Sequence, residues 1–383
     1  MTPIEITTRL ANEVLNPMKR AFVGKDEVID LLGICLVGGE NLFILGPPGT
    51  AKSALVNQLA ARLEGKTFDY LLTRFTEPNE LFGPFDIRKL RDGELQTNTE
   101  GMLPDASLVF LDELLNANSA ILNSLLVALN ERVFRRGKET RPLAALMFVG
   151  ASNHLPEDDA LHALFDRFLL RVHCDNVPGE RLSDVLVAGW QLASDGAAKS
   201  TLHFDDLRVV QSALAAVELG AVRQPFAELV HRIRHAGIPV SDRRAVKLQR
   251  VIASSALISG RTEARLSDLW VTRHIWDTEE QQEVLASLVE QTINKKEAGA
   301  GDHPRARPVD GPDPESLARD LDAIAESLKN GALPDVEKSY LRDRLGILEG
   351  RCQWVKDSSK REWLTRRIGE LWPSLRAGSS LIT

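Results

Sequence analysis

Short apolar runs alternate with longer amphipathic segments through the first half of the chain. Such runs, bounded by turn residues, are typical of buried parallel strands. Between two of them, "NSAILNSLLVALNER" carries its large apolar side chains on one helical face. This alternation predicts an α/β domain with a five-stranded, mostly parallel sheet. The predicted strands are residues 41–45, 67–72, 107–112, 143–152 and 168–174.

The second half of the chain shows Ala- and Leu-rich helical periodicity and lacks strand-like runs. We therefore predict an α/β core over residues 1–177 and an all-α domain over 178–294. The next segment, "KKEAGAGDHPRARPVDGPDP", is rich in glycine, proline and charge, which predicts a flexible linker over 295–313. Helical periodicity returns in residues 314–383, which we expect to form a small C-terminal helical module.

Composition narrows the class of protein. With 383 residues the chain is long enough for two or three domains, and its net charge of -7 disfavours non-specific binding of nucleic acid. Three cysteines without CxxC spacing favour a reducing compartment over a disulfide framework or a zinc site. The longest apolar runs are shorter than the ~18 residues of a membrane span, and the N-terminus lacks a signal-like apolar segment. We expect a cytoplasmic protein without a membrane span.

The stretch "FILGPPGTAKSAL" has the layout of a phosphate-binding loop between a strand and a helix. Backbone N–H groups at the helix start would cradle phosphates, Lys52 would reach the β and γ phosphates, and the Ser53 hydroxyl would hold Mg²⁺. The usual pattern has glycine at position 51, but alanine is comfortable in a helical first turn, so the site survives if the chain is already helical there. A chance Gly-Pro turn before a helix is the alternative, which the strand–loop–helix context disfavours. The predicted nucleotide-binding residues are Gly46, Pro47, Pro48, Gly49, Thr50, Ala51, Lys52, Ser53 and Ala54.

An acidic pair ends the apolar run "SLVFLDE". Ligands of open α/β sheets bind at the carboxyl ends of the strands, where Asp112 and Glu113 are expected to lie. Asp112 would hold Mg²⁺ through water. Glu113 would polarise the attacking water, a role typically worth ~10²–10⁴ in rate. A strand that simply runs into an acidic helix cap is the alternative, which the upstream phosphate loop disfavours.

Four more polar residues gain meaning only in combination with this pair. Asn153 follows the buried run "LMFVGAS" and could orient the lytic water, although Asn after a strand is most often a turn residue. Arg167 precedes the last predicted strand in "HALFDRF". Arg243 and Arg244 open a helix of the all-α domain in "VSDRR". Taken singly, each arginine would be read as a solvated or salt-bridged side chain.

In this order, the motifs resemble an AAA+ ATPase, in which a P-loop core is followed by an all-α lid. The segments "TRFTEPNELFGPFDI", "GMLPDASLVFLDELLNANSAILNSLLVALNERVF" and "ASNHLPEDDALHALFDRF" are similar to the MoxR branch. That branch often carries alanine before the loop lysine, as in "GPPGTAKS". The segments "LFGPFDIRKLRDG" and "VSDRR" resemble the RavA-type subgroup, although the C-terminal region after the linker is shorter here.

The resemblance implies ATP and Mg²⁺ as cofactors and hydrolysis of ATP. It also implies that Asn153 is the first sensor. Arg167 would be a finger that reaches the neighbouring subunit's γ-phosphate, worth ~10³–10⁵ in turnover. Arg243 would be the second sensor, because the family arginine follows two residues after the serine, and Arg244 is the alternative. A finger acting in trans requires a homo-oligomeric ring, usually a hexamer. Such rings remodel protein clients, typically with a von Willebrand factor A-domain partner.

Two basic segments, "GPFDIRKLRDGELQTNTEGMLPDA" and "VFRRGKETRPLAAL", contain turn signals and are predicted to project as hairpins, the second turning at Gly137. Their Lys and Arg side chains could contact acidic protein or nucleic acid, or lie in solvated loops. A nucleic-acid translocase is therefore one alternative to protein remodelling, and the acidic net charge argues against it. A nucleotide-gated adaptor with low turnover is another, and the Asp112–Glu113 pair with Arg167 argues against that.

Overall fold

The computed structural model describes residues 1–91, 96–177, 181–195, 202–293, 303, 305, 314–329, 335–352, 355 and 358–376. These residues belong to two compact units, Met1–Ala306 and Arg307–Thr383. The first unit holds every strand that the structure describes, and it therefore holds the predicted α/β core.

Five parallel strands form the sheet of the first unit. They are β1 (Leu42–Leu45), β2 (Thr67–Leu71), β3 (Leu108–Asp112), β6 (Met147–Ser152) and β7 (Leu170–His173), and β4 (Val133–Arg136) with β5 (Glu139–Pro142) forms a separate hairpin. The strand order is β2-β3-β6-β1-β7. All residues of β1 and β6 are buried, which explains why their sequences are continuously apolar. The predicted five-stranded parallel sheet is confirmed.

Helices connect the strands. They are α1 (Pro3–Arg9), α2 (Asn16–Ala21), α3 (Asp26–Gly38), α4 (Lys52–Arg62), α5 (Pro78–Phe82), α6 (Ile87–Arg91), α7 (Ser119–Glu131) and α8 (Asp159–Phe165), with a π-helical segment Leu10–Leu15 between α1 and α2. In α7 the Asn118 side chain caps the first turn by accepting from the N–H groups of Ala120 and Ile121, both at 3.1 Å. The predicted apolar face of α7 is buried at Leu125 and Leu129.

The two predicted projections differ in outcome. The hairpin β4–β5 turns at Gly137, whose φ of 59° is the left-handed conformation that favours glycine, and its prediction is confirmed. In the first segment Phe85 and Thr97 form an antiparallel bridge, but residues 87–91 are helical instead of extended. Most of its turn signal "RDGE" lies outside the described residues.

A helical lid follows the α/β core within the same unit. It comprises α9 (Leu182–Asp195), α10 (Phe204–Ala213), α11 (Gly220–His235), α12 (Asp242–Ile258), α13 (Glu280–Ile293) and a 3₁₀ segment Leu266–His274. A buried carboxylate ties these elements together, because Asp268 accepts from Ser255 Oγ at 2.7 Å and from Arg261 at 2.8 Å. Residues 178–180, where the predicted core–lid boundary falls, lie outside the described residues.

Two residues of the predicted linker are described, and the first unit holds both. His303 is 4% exposed and stacks on Trp270 with ring centroids 4.9 Å apart. Arg305 Nε donates to Asp30 Oδ2 at 2.8 Å. Burial lowers the pKa of His303 to about 4, so its imidazole is neutral near pH 7. The other residues of 295–313 lie outside the described part of the chain.

The second unit contains three helices, α14 (Pro314–Lys329), α15 (Asp335–Cys352) and α16 (Ser358–Arg376). Its core includes Leu321, Leu345 and Ile368, all nearly fully buried. No described helix of either unit is both long enough and apolar enough to cross a membrane.

Candidate functional site

The predicted phosphate loop, residues 46–54, runs from the end of β1 to the start of α4. Lys52 is 6% exposed, and its ammonium donates to the carbonyl oxygens of Gly46 at 2.6 Å and Pro47 at 3.1 Å. The Thr50 hydroxyl donates to the same Pro47 carbonyl at 2.9 Å, which closes the loop on itself. The fold therefore holds the Lys52 ammonium inside the turn of the loop.

Ala51 is not helical, and the sequence prediction on this point is wrong. Its φ of 71° and ψ of 22° lie in the left-handed region, and it forms the N-cap of α4 rather than part of the first turn. This conformation costs a non-glycine residue roughly 1–2 kcal/mol, which explains why the common pattern has glycine here. Gly49 is also left-handed, with φ of 83°. The loop accepts an alanine at a position whose backbone conformation favours glycine.

The start of α4 offers donors that fit a phosphate. Ala51 provides no side-chain cap, so no capping side chain satisfies the N–H groups of Lys52, Ser53 and Ala54 in the first turn. A helix N-terminus favours negative charge, and the Lys52 ammonium adds a full positive charge beside it. This donor set suits the β and γ phosphates of ATP.

Ser53 and the acidic pair meet at one point. Ser53 Oγ donates to Asp112 Oδ2 at 2.6 Å, and the Glu113 N–H donates to Asp112 Oδ1 at 2.9 Å. Mg²⁺ prefers such oxygen ligands and takes few of them from protein when phosphates and waters supply the rest. Ser53 and Asp112 therefore fit a Mg²⁺ that accompanies a nucleotide. Glu113 itself is left-handed, with φ of 48°.

The register of the sheet places Asn153 beside this pair. Ser152 is opposite Leu45, the last residue of β1, and Gly150 is opposite Leu111. Asn153 therefore follows β6 at the level where the phosphate loop and the acidic pair begin, and it is exposed. We call this side of the sheet, with residues 46–54, Asp112, Glu113 and Asn153, the carboxyl edge.

Sequence reasoning missed Cys174, a buried residue that contacts the phosphate loop. Cys174, directly after β7, is buried, and its thiol donates to the Thr50 carbonyl at 3.2 Å. A Cβ at position 46 would clash with the Cys174 carbonyl oxygen, so Gly46 is required by this close approach. Burial raises the pKa of the Cys174 thiol, which keeps it protonated as a donor. A glycine directly after a buried strand is the sequence signal that could have indicated such a contact.

Arg167 lies on the opposite side of the sheet from its own phosphate loop. Its carbonyl accepts from Asn41 Nδ2 at 2.9 Å, and Asn41 directly precedes β1, whereas the loop follows β1. Asn41 and Gly46, the first residue of the loop, are five positions apart along this strand, which is roughly 16 Å at ~3.3 Å per residue. The Arg167 guanidinium pairs with the neighbouring Asp166 at 2.9 Å. We call this side of the sheet, with Asn41 and Arg167, the amino edge.

Arg243 also lies at the amino edge. It is exposed, and its guanidinium donates to Asn130 Oδ1 at 2.5 Å, near the end of α7. Arg132, two positions after Asn130 in the sequence, donates to Asn41 Oδ1 at 2.8 Å. The structure therefore brings Arg167 and Arg243 to one edge and the phosphate loop to the other.

Arg244 has a different environment from its neighbour. It is 8% exposed, donates to the Ile275 carbonyl at 2.7 Å and pairs with Asp277 at 3.5 Å. Arg171 shares these partners, and burial together with the Arg244 charge lowers the pKa of Arg171 to about 9. Arg244 is thus held inside the lid, and Arg171 of β7 binds the same two lid partners, which leaves Arg243 as the solvent-facing arginine of "VSDRR".

Two family models match the chain. Residues 8–212 match a model described as the MoxR domain in the MoxR-vWA-beta-propeller ternary systems, and residues 219–289 match an AAA lid domain. The first match includes Arg167 and every residue of the carboxyl edge. The second includes Arg243 and Arg244.

Individual proteins are similar over comparable spans. Two uncharacterized proteins of Methanocaldococcus jannaschii are 35% and 32% identical, over 72% and 70% of this chain and 72% and 71% of their own lengths. The chaperone MoxR1 of Mycobacterium tuberculosis is 27% identical over 41% of this chain and 42% of its own. A crystal structure of a candidate ATPase from Cytophaga hutchinsonii has a TM-score of 0.61 and 19% identity, covering 77% of this chain and 96% of that one, which shows a shared fold.

Proposed function

The chain belongs to the MoxR family of AAA+ ATPases, and from this premise we propose that it hydrolyses ATP to ADP and phosphate as a homo-oligomeric ring. The single observation that supports this most strongly is the separation of the two edges. The carboxyl edge has the groups that bind a nucleotide, and the amino edge has two arginines that do not reach it. Each subunit then completes the site of its neighbour through a heterologous interface, and such an interface gives a ring when its rotation closes. We propose a hexamer.

Each residue of the carboxyl edge has a proposed part in hydrolysis. The first turn of α4 and Lys52 bind the β and γ phosphates, and Ser53 with Asp112 holds Mg²⁺, which neutralises phosphate charge. Glu113 orients and polarises the attacking water, with Asn153 beside it as the first sensor. The left-handed backbone at Glu113 turns the chain sharply after β3, so that the side chain leaves the line of the strand.

In the proposed ring, the arginines of the amino edge stabilise the negative charge of the phosphates bound by the neighbouring subunit. Arg167 acts as the finger on the adjacent γ-phosphate, and Arg243 acts as the second sensor in the same neighbouring site. Arg243 is preferred over Arg244 because Arg244 is engaged inside the lid. Both proposed roles are electrostatic, and both depend on assembly.

The proposed client is another protein, remodelled in a chaperone-like manner with a von Willebrand factor A-domain partner. The matched family description names MoxR-vWA-beta-propeller systems, which supports such a partner. The proposed RavA-like subgroup rests on the sequences of two segments alone, "LFGPFDIRKLRDG" and "VSDRR". A cytoplasmic location is proposed from the cysteine content.

Nucleic acid is the weaker candidate because described basic residues of the β4–β5 hairpin are engaged within the chain. Arg135 pairs with Glu131 at 2.6 Å. Arg136 donates to the Gly83 carbonyl at 2.7 Å, and its guanidinium lies 3.8 Å from the Phe85 ring centroid. These contacts compete with binding to phosphate, and the net charge of -7 opposes it further.

One experiment tests assembly, turnover and client class together. The full-length protein with Glu113→Gln is incubated with ATP and Mg²⁺, sized by analytical ultracentrifugation, and used for affinity capture with and without nuclease. We expect an ATP-dependent ring that captures protein but no nucleic acid, and wild-type turnover that rises with protein concentration as rings form. A monomer whose turnover per subunit is independent of concentration would contradict the ring. Nuclease-sensitive capture, lost in an Arg135→Ala/Arg136→Ala variant, would instead support the translocase.

A further inference from the structure

Asn41 connects four parts of the amino edge through one buried side chain. It is 1% exposed, and its Nδ2 donates to the Arg167 carbonyl at 2.9 Å. Its Oδ1 accepts from Arg132 Nη2 at 2.8 Å and from the Phe148 N–H at 3.2 Å. The amide thus fixes the backbone of the predicted finger relative to β1, β6 and the end of α7. Both polar atoms of the Asn41 side chain have partners, and a buried amide held in this way favours one arrangement of the segments it joins.

Arg132 anchors Asn41 in turn. Its guanidinium also donates to the Gly39 carbonyl at 3.2 Å and lies 4.9 Å from the Phe148 ring centroid. Its own carbonyl accepts from the Leu143 N–H at 2.8 Å, directly beyond β5. One residue therefore closes the base of the β4–β5 hairpin with its backbone and holds Asn41 with its side chain.

The backbone of Arg132 supports a functional reading of this contact. Among the residues that the structure describes, three non-glycine residues have positive φ, namely Ala51, Glu113 and Arg132. Arg132 ends α7 with φ of 56°, at the position where helices commonly use glycine. The first two residues lie in the nucleotide site, and the third lies at the amino edge. Strain of this kind persists where the surrounding contacts over-determine it, which occurs most often at functional sites.

We propose that Asn41 is a positioning residue for Arg167 and that Arg132 ties this position to the base of the β4–β5 hairpin. This inference rests on the proposed ring, in which Arg167 acts on the neighbouring subunit. Asn41 is buried at the opposite end of β1 from the phosphate loop, so its effect on hydrolysis is transmitted through the Arg167 backbone. A displaced hairpin shifts Arg132, and through Asn41 it shifts the finger. Contact with a client at the hairpin would thereby alter hydrolysis in the next subunit.

The substitution Asn41→Asp isolates the contact with Arg167. An aspartate keeps the acceptor for Arg132 and for the Phe148 N–H, but it has no N–H to donate to the Arg167 carbonyl. We expect kcat to fall by about 10²-fold, the order that a misplacement of 1 Å produces, with a near-unchanged KM for ATP. Gln211→Ala is the matched control, since Gln211 donates to the Leu36 carbonyl at 2.7 Å near the end of α3 without contacting the finger. It should keep wild-type kcat.

Mixed rings separate positioning from damage to the fold. Asn41→Asp subunits keep an intact phosphate loop, and Lys52→Ala subunits keep an intact Arg167. Each variant alone should hydrolyse ATP poorly, and mixing them should restore turnover in those Asn41→Asp sites that adjoin a Lys52→Ala neighbour. The double variant Asn41→Asp/Arg167→Ala should be no slower than Arg167→Ala alone.

Three outcomes would overturn the inference. If mixing rescues Arg167→Ala but not Asn41→Asp, Asn41 supports the fold or its own site instead of the finger. If Asn41→Asp keeps full kcat while Arg167→Ala loses it, the contact does not position the finger, and the ring mechanism stands. If Arg167→Ala keeps full turnover, the ring mechanism fails together with the inference.

Discussion

The two edges of the sheet differ in how their residues are spaced along the sequence. Residues 46–54 are consecutive. Asp112 ends β3, Glu113 follows it, and Asn153 follows β6, which pairs with both β3 and β1. The amino edge instead combines Asn41, Arg132, Arg167 and Arg243, which come from four separate segments of the core and lid. The carboxyl edge holds the groups proposed to bind ATP, whereas the arginines of the amino edge lie a strand length from the loop of the same chain.

This difference means that binding and turnover should be separable by mutation. In the proposed ring, damage at the carboxyl edge should affect the site of the same subunit. Damage at the amino edge should leave that site intact and impair the neighbouring one.

The largest effect is expected for Arg167→Ala. Turnover should fall by ~10³–10⁵, the range for removal of an arginine finger in P-loop enzymes. The nucleotide Kd, measured by fluorescence titration, should stay within a few-fold of wild type because the residue does not touch its own loop. A Kd weakened in proportion to turnover would show that the two edges are not functionally separate.

Glu113→Gln should lower turnover by ~10²–10⁴, because the amide cannot accept a proton or polarise water as the carboxylate does. Binding of ATP and Mg²⁺ should persist, since Ser53 and Asp112 are unchanged. Single-turnover hydrolysis in parallel with equilibrium binding measures both. Loss of binding at the same magnitude would indicate that Glu113 holds the cation.

The neighbouring arginines Arg243 and Arg244 should give opposite phenotypes. Arg244→Ala removes a buried hydrogen bond to the Ile275 carbonyl and an ion pair with Asp277, and it should cost about 1–3 kcal/mol in the free energy of unfolding. Arg243→Ala should leave that free energy unchanged while lowering turnover. Urea denaturation with a constant m-value reports the first, and steady-state hydrolysis reports the second. The reversed pattern would make Arg244 the second sensor.

The smallest effect is expected within the loop, at Ala51→Gly. Glycine removes a left-handed strain of roughly 1–2 kcal/mol but adds unfolded-chain entropy of roughly 0.4–1 kcal/mol, so the unfolding free energy should rise by about 0.5 kcal/mol. Gly49→Ala is the mirror control. A Cβ there meets no atom within 4 Å, so the substitution adds strain without a clash and should destabilise. Destabilisation by Ala51→Gly would mean that the alanine methyl contributes packing that outweighs the strain.

Sequence patterns predicted the sheet and the carboxyl edge well because both depend on local signals. Continuous apolar runs identified the five strands, and the turn at Gly137 identified the hairpin. The placement of the carboxyl-edge residues then follows from parallel register. The conformation of Ala51 was mispredicted because alanine is a good helix former. Helix propensity does not reveal that the loop requires a left-handed residue directly before Lys52, where α4 begins.

The amino edge was predicted less completely because its contacts are distant in sequence. Asn41 and Arg132 are separated by ninety-one positions, and neither has a motif of its own. Arg243 and Arg244 could not be distinguished by spacing with certainty, since their difference lies in tertiary burial against Asp277. A polar residue directly before a buried strand, such as Asn41 in "ENLFIL", is weak evidence for a buried contact, because in many proteins such a residue belongs to a turn.

The close approach of Gly46 to Cys174 has a mechanical consequence. The chain leaving β7 toward the lid begins at Cys174, and the next carbonyl, that of Asp175, accepts from Lys25. His173, just before it, accepts a hydrogen bond from Gln282 of the lid at 2.8 Å when its Nε2 is unprotonated. Backbone therefore abuts backbone with no compressible side chain between them. The phosphate loop and the start of the segment that leads to the lid are therefore in direct backbone contact, so a movement of one would displace the other.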